Sequence, residues 1–326
     1  MTPAEQPWLI VGQGLAGSCL AWEFWQRGVP FQILDRGNGG CSRIAAGLIN
    51  PITGKNFEPS WRINDFHSHA IAFYENLEKI LGTRLWHPLP VLRLATSAKE
   101  WEKISSKLHL SEISHWIEPA DTPAPPGFHG AVQLSGGGRI DTANFINTTR
   151  NFFSDRSLYV TSTYAPDVPG KNRILCQGAE GLMLNQLGPH RCAKGEILTL
   201  RAPWPESHIR IGAGGWLVPI GNRHFRVGST YEWNQLDELP TSAGSERILA
   251  IVAKLGGPDF EIIDHVAAIR PILRRSQPLI GKNMDDTWVF NALGSKGALY
   301  APKMAFYLAE WIINGRRPDE SLIISC

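Results

Sequence analysis

The clearest indication of the fold lies near the N-terminus, in the residues Trp8-Leu9-Ile10-Val11-Gly12-Gln13-Gly14-Leu15-Ala16-Gly17. The first four of these residues form a short apolar run, which is typical of a buried strand. A segment with helical periodicity follows the glycine-rich turn and ends near Gly28. A second apolar run, Phe31-Gln32-Ile33-Leu34, then leads into Asp35. Strand, turn, helix, strand and acid in this order predict the first βαβ unit of an α/β protein.

The three glycines of the turn have separate physical roles. Gly12 permits the tight turn, Gly14 lets backbone N–H groups approach a pyrophosphate, and Gly17 lets the helix pack closely on the strand. Asp35 lies 18 residues beyond Gly17, near the spacing of an acid that binds ribose hydroxyls. The pattern predicts a dinucleotide site, with NAD and FAD both open at this point. The contacts expected here are Gly12, Gly14, Leu15, Ala16, Gly17, Asp35 and Arg36.

Composition narrows the class of protein. The 326 residues carry 32 Lys and Arg against 30 Asp and Glu, a formal net charge of +2, and 43% are hydrophobic. These values predict a globular enzyme of two domains and argue against a nucleic-acid partner. The five cysteines are widely spaced without Cys-x-x-Cys, so we expect neither a disulfide framework nor a metal site. No apolar run reaches the ~18 residues of a membrane span and no secretory signal is present, so we expect a cytoplasmic protein.

A second segment of small residues, at 39–51, follows soon after the second apolar run. Small residues let the backbone lie against a flat ring system and a diphosphate. Within it, residues 42–48 resemble the second flavin motif of the FAD-dependent D-amino-acid oxidase and glycine oxidase superfamily. Further segments resemble motifs of that family in the same order: 195–198, 215–219 with 225–230, 270–271 with 278–281, and 293–302.

The resemblance implies FAD as a non-covalent cofactor, because the closing motif at 293–302 lacks the cysteine by which some relatives attach flavin. The resemblance also adds residues to the expected cofactor contacts. These are Gly178, expected near the diphosphate, and the members of two motifs. These members are Ser42, Arg43, Ala45, Ala46, Gly47 and Leu48 in the second motif, and Gly294, Ser295, Lys296, Gly297, Ala298 and Leu299 in the closing motif.

The implied architecture is of the α/β class: a Rossmann-type FAD-binding domain with an inserted, mostly antiparallel β substrate domain. We expect the FAD-binding domain at 1–84, 139–189 and 266–326, and the substrate domain at 85–138 and 190–265. Helical periodicity and capping residues predict helices at 61–81, 99–108, 142–153, 241–255 and 297–314, and apolar runs predict strands at 159–162 and 173–176.

The resemblance also implies an oxidoreductase that oxidises a C–N bond of a small amine or amino acid by hydride transfer to flavin N5, without a catalytic base. The helix opening at Gly297 would direct N–H groups at the pyrimidine edge of the flavin, and Lys296 would add positive charge there. Trp216 stands where relatives have an active-site aromatic residue. We therefore expect Lys296 and Trp216 among the catalytic residues.

Two arginines complete the candidate catalytic set. Arg270 precedes Pro271 after an apolar run, and we expect its guanidinium to hold either a substrate carboxylate or a salt bridge. Arg226 alternates with Phe225 and Val227, so it faces either solvent or the flavin cavity. Residues 293–296 lack the arginine with which amino-acid oxidases of the family often bind the carboxylate, so specificity does not transfer directly.

Two other functions stay open. Residues 293–297 resemble the flavin domain of the bifunctional enzyme that removes a carboxymethyl group from the wobble uridine of tRNA, which suggests a tRNA-modification flavoenzyme. The net charge of +2 and the lack of a methyltransferase-like segment argue against it. The other is an NAD-dependent dehydrogenase, or a flavoprotein without amine chemistry. The expected partner is a small amine or amino acid, and the oligomeric state stays open.

Overall fold

Two large sheets organise the chain. The computed structural model describes residues 6–118, 123–165, 172–184, 187–274 and 277–324. The strands are, in chain order, β1 (Trp8–Val11), β2 (Phe31–Asp35), β3 (Leu48–Ile49), β4 (Ile52–Thr53), β5 (Glu58–Pro59), β6 (Trp86–Pro88), β7 (Val91–Ala95), β8 (Gly130–Leu134), β9 (Gly138–Ile140), β10 (Tyr159–Thr161), β11 (Arg173–Leu175), β12 (Ala193–Arg201), β13 (Ile209–Gly212), β14 (Gly215–Gly221), β15 (His224–Gly228), β16 (Glu261–Arg270), β17 (Leu279–Lys282) and β18 (Trp288–Asn291). The helices are α1 (Leu15–Gln26), α2 (Cys41–Ile44), α3 (Ile63–Leu81), α4 (Ala98–Ser105), α5 (Ser111–Ser114), α6 (Thr142–Ser154), α7 (Gly178–Met183), α8 (Ser242–Leu255) and α9 (Gly297–Asn314).

The first sheet has six strands in the order β10-β2-β1-β11-β18-β17. Five of them are parallel, and β17 pairs antiparallel with β18 at one edge. Helices α1 and α9 pack together beside it, with Trp22 and Leu308 fully buried in their shared core. The predicted strand, turn, helix and strand around residues 8–35 are confirmed.

The second sheet has seven strands in the order β16-β12-β15-β14-β13-β7-β8. Its neighbours pair antiparallel except β7 and β13, so the expected mostly antiparallel sheet is confirmed. Helix α8 packs on it through Ile248 and Val252. The domain boundary expected at residue 266 falls inside β16, because that strand pairs with β12 as far as Arg270 opposite Ala193.

The predicted helices are present, four of the five with shifted ends. Helix α9 has the predicted bounds, and Gly315 ends it with a φ of 66°. Helix α3 begins at Ile63 rather than at 61, because Arg62 before it has left-handed backbone. Helix α4 stops short of 108, and the side chain of Ser97 caps its start. Within the described ranges, no helix combines the length and the apolar character that a membrane span needs.

Candidate active site

A cleft of about 860 Å³ separates the two large sheets. One wall is formed where β1, β2, β11 and β18 end, which is the edge at which open α/β sheets bind ligands. The other wall is a face of the seven-stranded sheet. The residues expected to contact the cofactor line this cleft, with the exception of Gly17: Gly12, Gly14, Leu15, Ala16, Asp35, Arg36, Ser42, Arg43, Ala45, Ala46, Gly47, Leu48, Gly178, Gly294, Ser295, Lys296, Gly297, Ala298 and Leu299.

The glycine-rich turn presents bare backbone at the start of α1. Gly12 has a φ of 96°, and a Cβ there would lie 2.6 Å from the carbonyl oxygen of Cys176, so the position requires glycine. The N–H of Leu15 donates to Ser42 Oγ at 3.2 Å, which places the second small-residue segment beside the helix N-terminus. Gly17 lies behind the turn, where a Cβ would be 1.9 Å from the carbonyl oxygen of Gly12. The contact that Gly17 permits is therefore between helix and turn.

Asp35 ends β2 at the cleft with both carboxylate oxygens engaged. Its Oδ2 accepts from the N–H of Gln13 at 2.8 Å, and its Oδ1 accepts from the N–H of Gly37 at 2.8 Å and from the Tyr159 hydroxyl at 3.2 Å. The guanidinium of Arg43 lies 3.7 Å from the same carboxylate. Burial, and then the charge of Asp35, raises the pKa of Tyr159. The acid is thus held in a fixed orientation at the sheet edge.

The rim of the cleft beyond Asp35 is polar. Arg36 pairs with Glu180 in α7 at 3.1 Å, with both side chains half-exposed, and Gly178 opens that helix. Sequence reasoning missed Ser162, Thr163 and Tyr164, which line the cleft after β10. Their one sequence signal was that they follow a parallel strand, since the ends of such strands meet at one edge.

The second small-residue segment is pressed against the body of the protein. Gly47 has a φ of 65°, and a Cβ there would lie 1.9 Å from the carbonyl oxygen of Ile140. The Thr142 hydroxyl donates to the carbonyl oxygen of Ala45 at 3.0 Å. These contacts hold the backbone of this segment as part of the cleft wall.

Arg226 is the predicted catalytic residue that the structure places elsewhere. It does not line the cleft, and it is not turned to solvent. Its Nη1 donates to the carbonyl oxygens of Ile44 at 3.0 Å and Ala45 at 2.6 Å, and burial lowers its pKa. The alternation of side chains along β15 allowed Arg226 to face either solvent or the flavin cavity. The packing of the sheets instead places its side chain against the second small-residue segment. Arg226 therefore supports that segment from behind.

Lys296 sits at the start of α9 with its side chain in the cleft. Its Nζ donates to Thr53 Oγ1 at 2.9 Å and to Ser60 Oγ at 3.2 Å. Burial lowers the pKa of Lys296 to about 8. The partners come from the hairpin of β4 and β5, which the sequence did not connect to the site.

Arg270 ends β16 with its guanidinium in the cleft. Its Nη1 donates to the carbonyl oxygens of Thr230 at 3.1 Å and Lys194 at 3.4 Å, and its Nη2 donates to Ser229 Oγ at 2.7 Å. The group lies over Gly195, where a Cβ would be 1.9 Å from Nη2. Within the described ranges no carboxylate forms an ion pair with it, so the salt bridge that the sequence left open has no partner there.

Trp216 lines the cleft, as expected, and shares one row of the sheet with an arginine that the sequence did not single out. Ile211 of β13 pairs with Trp216 on one side and with Arg93 of β7 on the other. Arg93 lines the cleft and donates from Nη2 to Glu100 Oε1 at 2.8 Å. Only the strand register brings Arg93 here, because it lies more than 100 residues from Trp216 in the chain.

Comparison with known proteins identifies the family. Residues 8–311 match the family model described as FAD dependent oxidoreductase. The chain belongs to this family. FAD is therefore its cofactor, the protein is an oxidoreductase, and the NAD alternative is wrong. The glycines and small residues lining the cleft fit FAD, since they expose backbone where a diphosphate and a flat ring require close approach.

Individual relatives agree with this assignment. The chain is 24% identical to glycine oxidase of Pseudomonas aeruginosa over 95% of each protein. It is 23% identical to the tRNA 5-methylaminomethyl-2-thiouridine biosynthesis bifunctional protein MnmC of Marinobacter nauticus, over 95% of this chain and 56% of that protein. Two solved structures share the fold: glycine oxidase from Geobacillus kaustophilus (TM-score 0.80, 17% identity, 97% of each chain) and iminodiacetate oxidase from Chelativorans sp. BNC1 (TM-score 0.78, 18% identity, 98% of this chain and 100% of that chain).

Proposed function

We propose that this FAD-dependent oxidoreductase oxidises the C–N bond of a small amino acid or N-substituted amino acid whose carboxylate binds Arg270. The observation that carries the proposal is a guanidinium in the cofactor cleft without an acidic partner among the described residues. Burial lowers the pKa of Arg270, so its charge is desolvated and gains most from an anionic ligand.

The hydrogen bonds of Arg270 leave room for that ligand. An arginine carries five N–H groups. Three hydrogen bonds go to carbonyl and hydroxyl oxygens of the protein, from Nη1 and Nη2. The Nε–H and the second N–H of Nη2 have no acceptor among the described residues. Free donors on Nε and Nη2 can bind the two oxygens of a carboxylate.

Different residues of the cleft would bind different parts of FAD. The N–H groups at the start of α1, beside Gly14, would hold the diphosphate, and Asp35 would accept from the ribose hydroxyls. The segments 45–48 and 294–299 would flank the flavin ring. Bound FAD would supply the two-electron oxidation, in which the substrate's α-carbon would lose a hydride and its nitrogen a proton, and water would hydrolyse the resulting imine. Trp216 and Arg270 would orient the substrate, which supplies much of the acceleration.

An anaerobic spectrum tests this function without knowledge of the electron acceptor. The holoenzyme is mixed with glycine, D-amino acids, N-methylglycine and simple amines, and the flavin absorbance is followed. We expect at least one carboxylate-bearing amine to bleach the flavin, faster than the matched amine without a carboxylate. Bleaching by no member of the panel, or equal bleaching with and without the carboxylate, would contradict the proposal.

A second candidate function is oxidation of a secondary amine on a tRNA nucleoside. It is favoured by the similarity to MnmC, which spans 95% of this chain. The net charge of +2 supplies little attraction for phosphates. If this function holds, tRNA carrying the modified wobble uridine bleaches the flavin more efficiently than free N-methylglycine does, and salt weakens that reaction steeply.

Lys296 should make stability depend on pH. The pKa of about 8 lies below the ordinary 10.5, so between these values the unfolded chain binds a proton that the folded chain does not. Stability contributed by this group therefore rises from about pH 8 to about pH 10.5, by roughly 3 kcal/mol at most. We expect the Tm of the wild-type protein, relative to that of Lys296→Met, to increase over this pH range. Parallel Tm curves for the two proteins would show that the lysine is not buried as described.

Arg226 should affect cofactor binding rather than substrate binding. Arg226→Met removes the hydrogen bonds from the guanidinium to the carbonyls of Ile44 and Ala45, and the Ala45 oxygen keeps the one from the Thr142 hydroxyl. We expect about tenfold weaker FAD binding, measured by titration of the apoprotein, with a KM within about twofold of wild type. A raised KM with unchanged FAD affinity would return Arg226 to the substrate site.

A further inference from the structure

The connection between β15 and α8, residues 229–241, reaches across the cofactor cleft. Ser229, Tyr231 and Glu238 of this connection line the cleft. Its outer side is open to solvent, and Leu239 has 68% of its surface exposed. We call residues 229–241 the strap. Both ends of the strap belong to the seven-stranded sheet and its helix, so a contact with the opposite wall joins the two sides of the cleft.

Strand β12 holds the base of the strap. The N–H of Glu196 donates to Thr230 Oγ1 at 2.9 Å, and the Glu196 carboxylate accepts from the N–H and the hydroxyl of Thr241, each at 2.8 Å. The buried Nζ of Lys194 pairs with Asp237 at 2.5 Å. Glu196 and Lys194 are both buried, and a buried charged group is costly to leave without its partner. The base therefore stays on the sheet when the rest of the strap moves.

The tip of the strap reaches the opposite wall through two contacts. Glu238 Oε1 accepts from the N–H of Gly40 at 3.3 Å, and a Cβ on Gly39 would lie 3.2 Å from Glu238 Oε2. Leu236 packs against the apolar cluster that includes Leu182 of α7. Glu238 is exposed, and few apolar groups are buried at the tip. The tip is therefore less stable than the base and opens at a smaller cost in free energy.

The tip of the strap meets the part of the cleft that is expected to hold the ribose and the diphosphate. Gly40 lies in the chain between Arg36 and Ser42, two of the expected cofactor contacts. Ser42 accepts from the N–H of Leu15 at the start of α1, and Asp35 lies just before Arg36. The contact of Glu238 with Gly40 thus joins the two walls of the cleft where FAD would be held.

We propose that the strap is a gate for FAD and that the hydrogen bond of Glu238 with Gly40 is its latch. When the latch breaks, the tip leaves the opposite wall while the base stays on β12, and FAD enters and leaves in this open form. The inference does not depend on the substrate, because it concerns the cofactor that family membership establishes. Since the latch closes the empty and the occupied cleft alike, weakening it speeds entry and release by the same factor and leaves Kd unchanged.

The rate constants of FAD binding and release test the gate without any turnover. Release from the holoenzyme is followed by flavin fluorescence after dilution, and binding is followed in the same way when FAD is mixed with the apoprotein. We expect Glu238→Ala to raise both rate constants about threefold to tenfold, the factor that one hydrogen bond of this kind controls, with Kd within about twofold of wild type. Glu238→Gln keeps an acceptor oxygen without the charge, so it should raise both rate constants less.

Glu206→Ala is the matched control. Glu206 Oε1 accepts from the N–H of Arg223 at 2.7 Å, which is the same kind of contact, and Glu206 does not line the cleft. This variant should keep both rate constants within about twofold of wild type. Unchanged rate constants in Glu238→Ala would overturn the inference. Faster binding with slower release would overturn it as well, because that pattern means that the carboxylate only repels the diphosphate. Faster release alone would show that Glu238 holds bound FAD and does not gate it.

Discussion

Arg270→Met is expected to lower kcat/KM for a carboxylate-bearing amine by about a hundredfold to a thousandfold. Truncating one partner of a buried, hydrogen-bonded charge pair costs 2–5 kcal/mol, and about 1.4 kcal/mol is tenfold. Arg270 offers two free donors in the cleft, and methionine offers none. The measurement is the anaerobic rate of flavin bleaching across substrate concentrations, which does not depend on the electron acceptor.

Two controls separate substrate binding from folding in this experiment. Arg270 also supports the carbonyls of Lys194 and Thr230, so the variant is first checked for its flavin content and visible spectrum. An amine without a carboxylate should lose little rate in Arg270→Met. Arg270→Lys should fall between the two proteins, because an ammonium cannot form the bidentate contact. Equal losses for both kinds of amine would assign Arg270 a structural role.

Three parts of the site could be predicted because each depends on residues close together in the chain: the glycine-rich turn, the start of helix α9 and Asp35. The glycine-rich turn after β1 could be predicted because its backbone requires glycine: Gly12 has positive φ and lies against the backbone of Cys176. Helix α9 was predicted with its observed bounds because the break at Gly315 is a local signal. Asp35 was found because its spacing from the turn is set by one βαβ unit.

The parts that sequence reasoning missed depend on how distant segments pack. Arg93 reaches the cleft because β7 pairs with β13, and no residue near Arg93 in the chain encodes that pairing. Alternation along β15 indicates that Arg226 and Phe225 point to opposite faces of the sheet. It does not indicate which face packs against the second small-residue segment. Lys296 was expected at the flavin, but its partners Thr53 and Ser60 come from a hairpin more than 230 residues away.

Gly17→Ala is expected to abolish retention of FAD, although alanine is the better helix former. Glycine inside a helix costs about 0.5–1 kcal/mol relative to alanine, so propensity alone predicts a gain in stability. The added Cβ would lie 1.9 Å from the carbonyl oxygen of Gly12, which is backbone and cannot rotate away. Helix α1 must then move off β1, and the turn that meets the diphosphate moves with it.

The size and sign of the Gly17→Ala effect distinguish packing from propensity. We expect flavin bound after gel filtration to fall below about a tenth of the wild-type content, and Tm to fall as well, since overpacking a core costs 1–3 kcal/mol or more. Ser18→Ala is the matched control: Ser18 is buried in the same helix turn, and its hydroxyl has no hydrogen-bond partner. That variant should retain FAD with equal or higher Tm, because it removes a buried polar group and adds no atom. If Gly17→Ala instead raised Tm and kept its flavin, the contact between α1 and the turn could not be as close as described. FAD binding would then not depend on glycine at position 17.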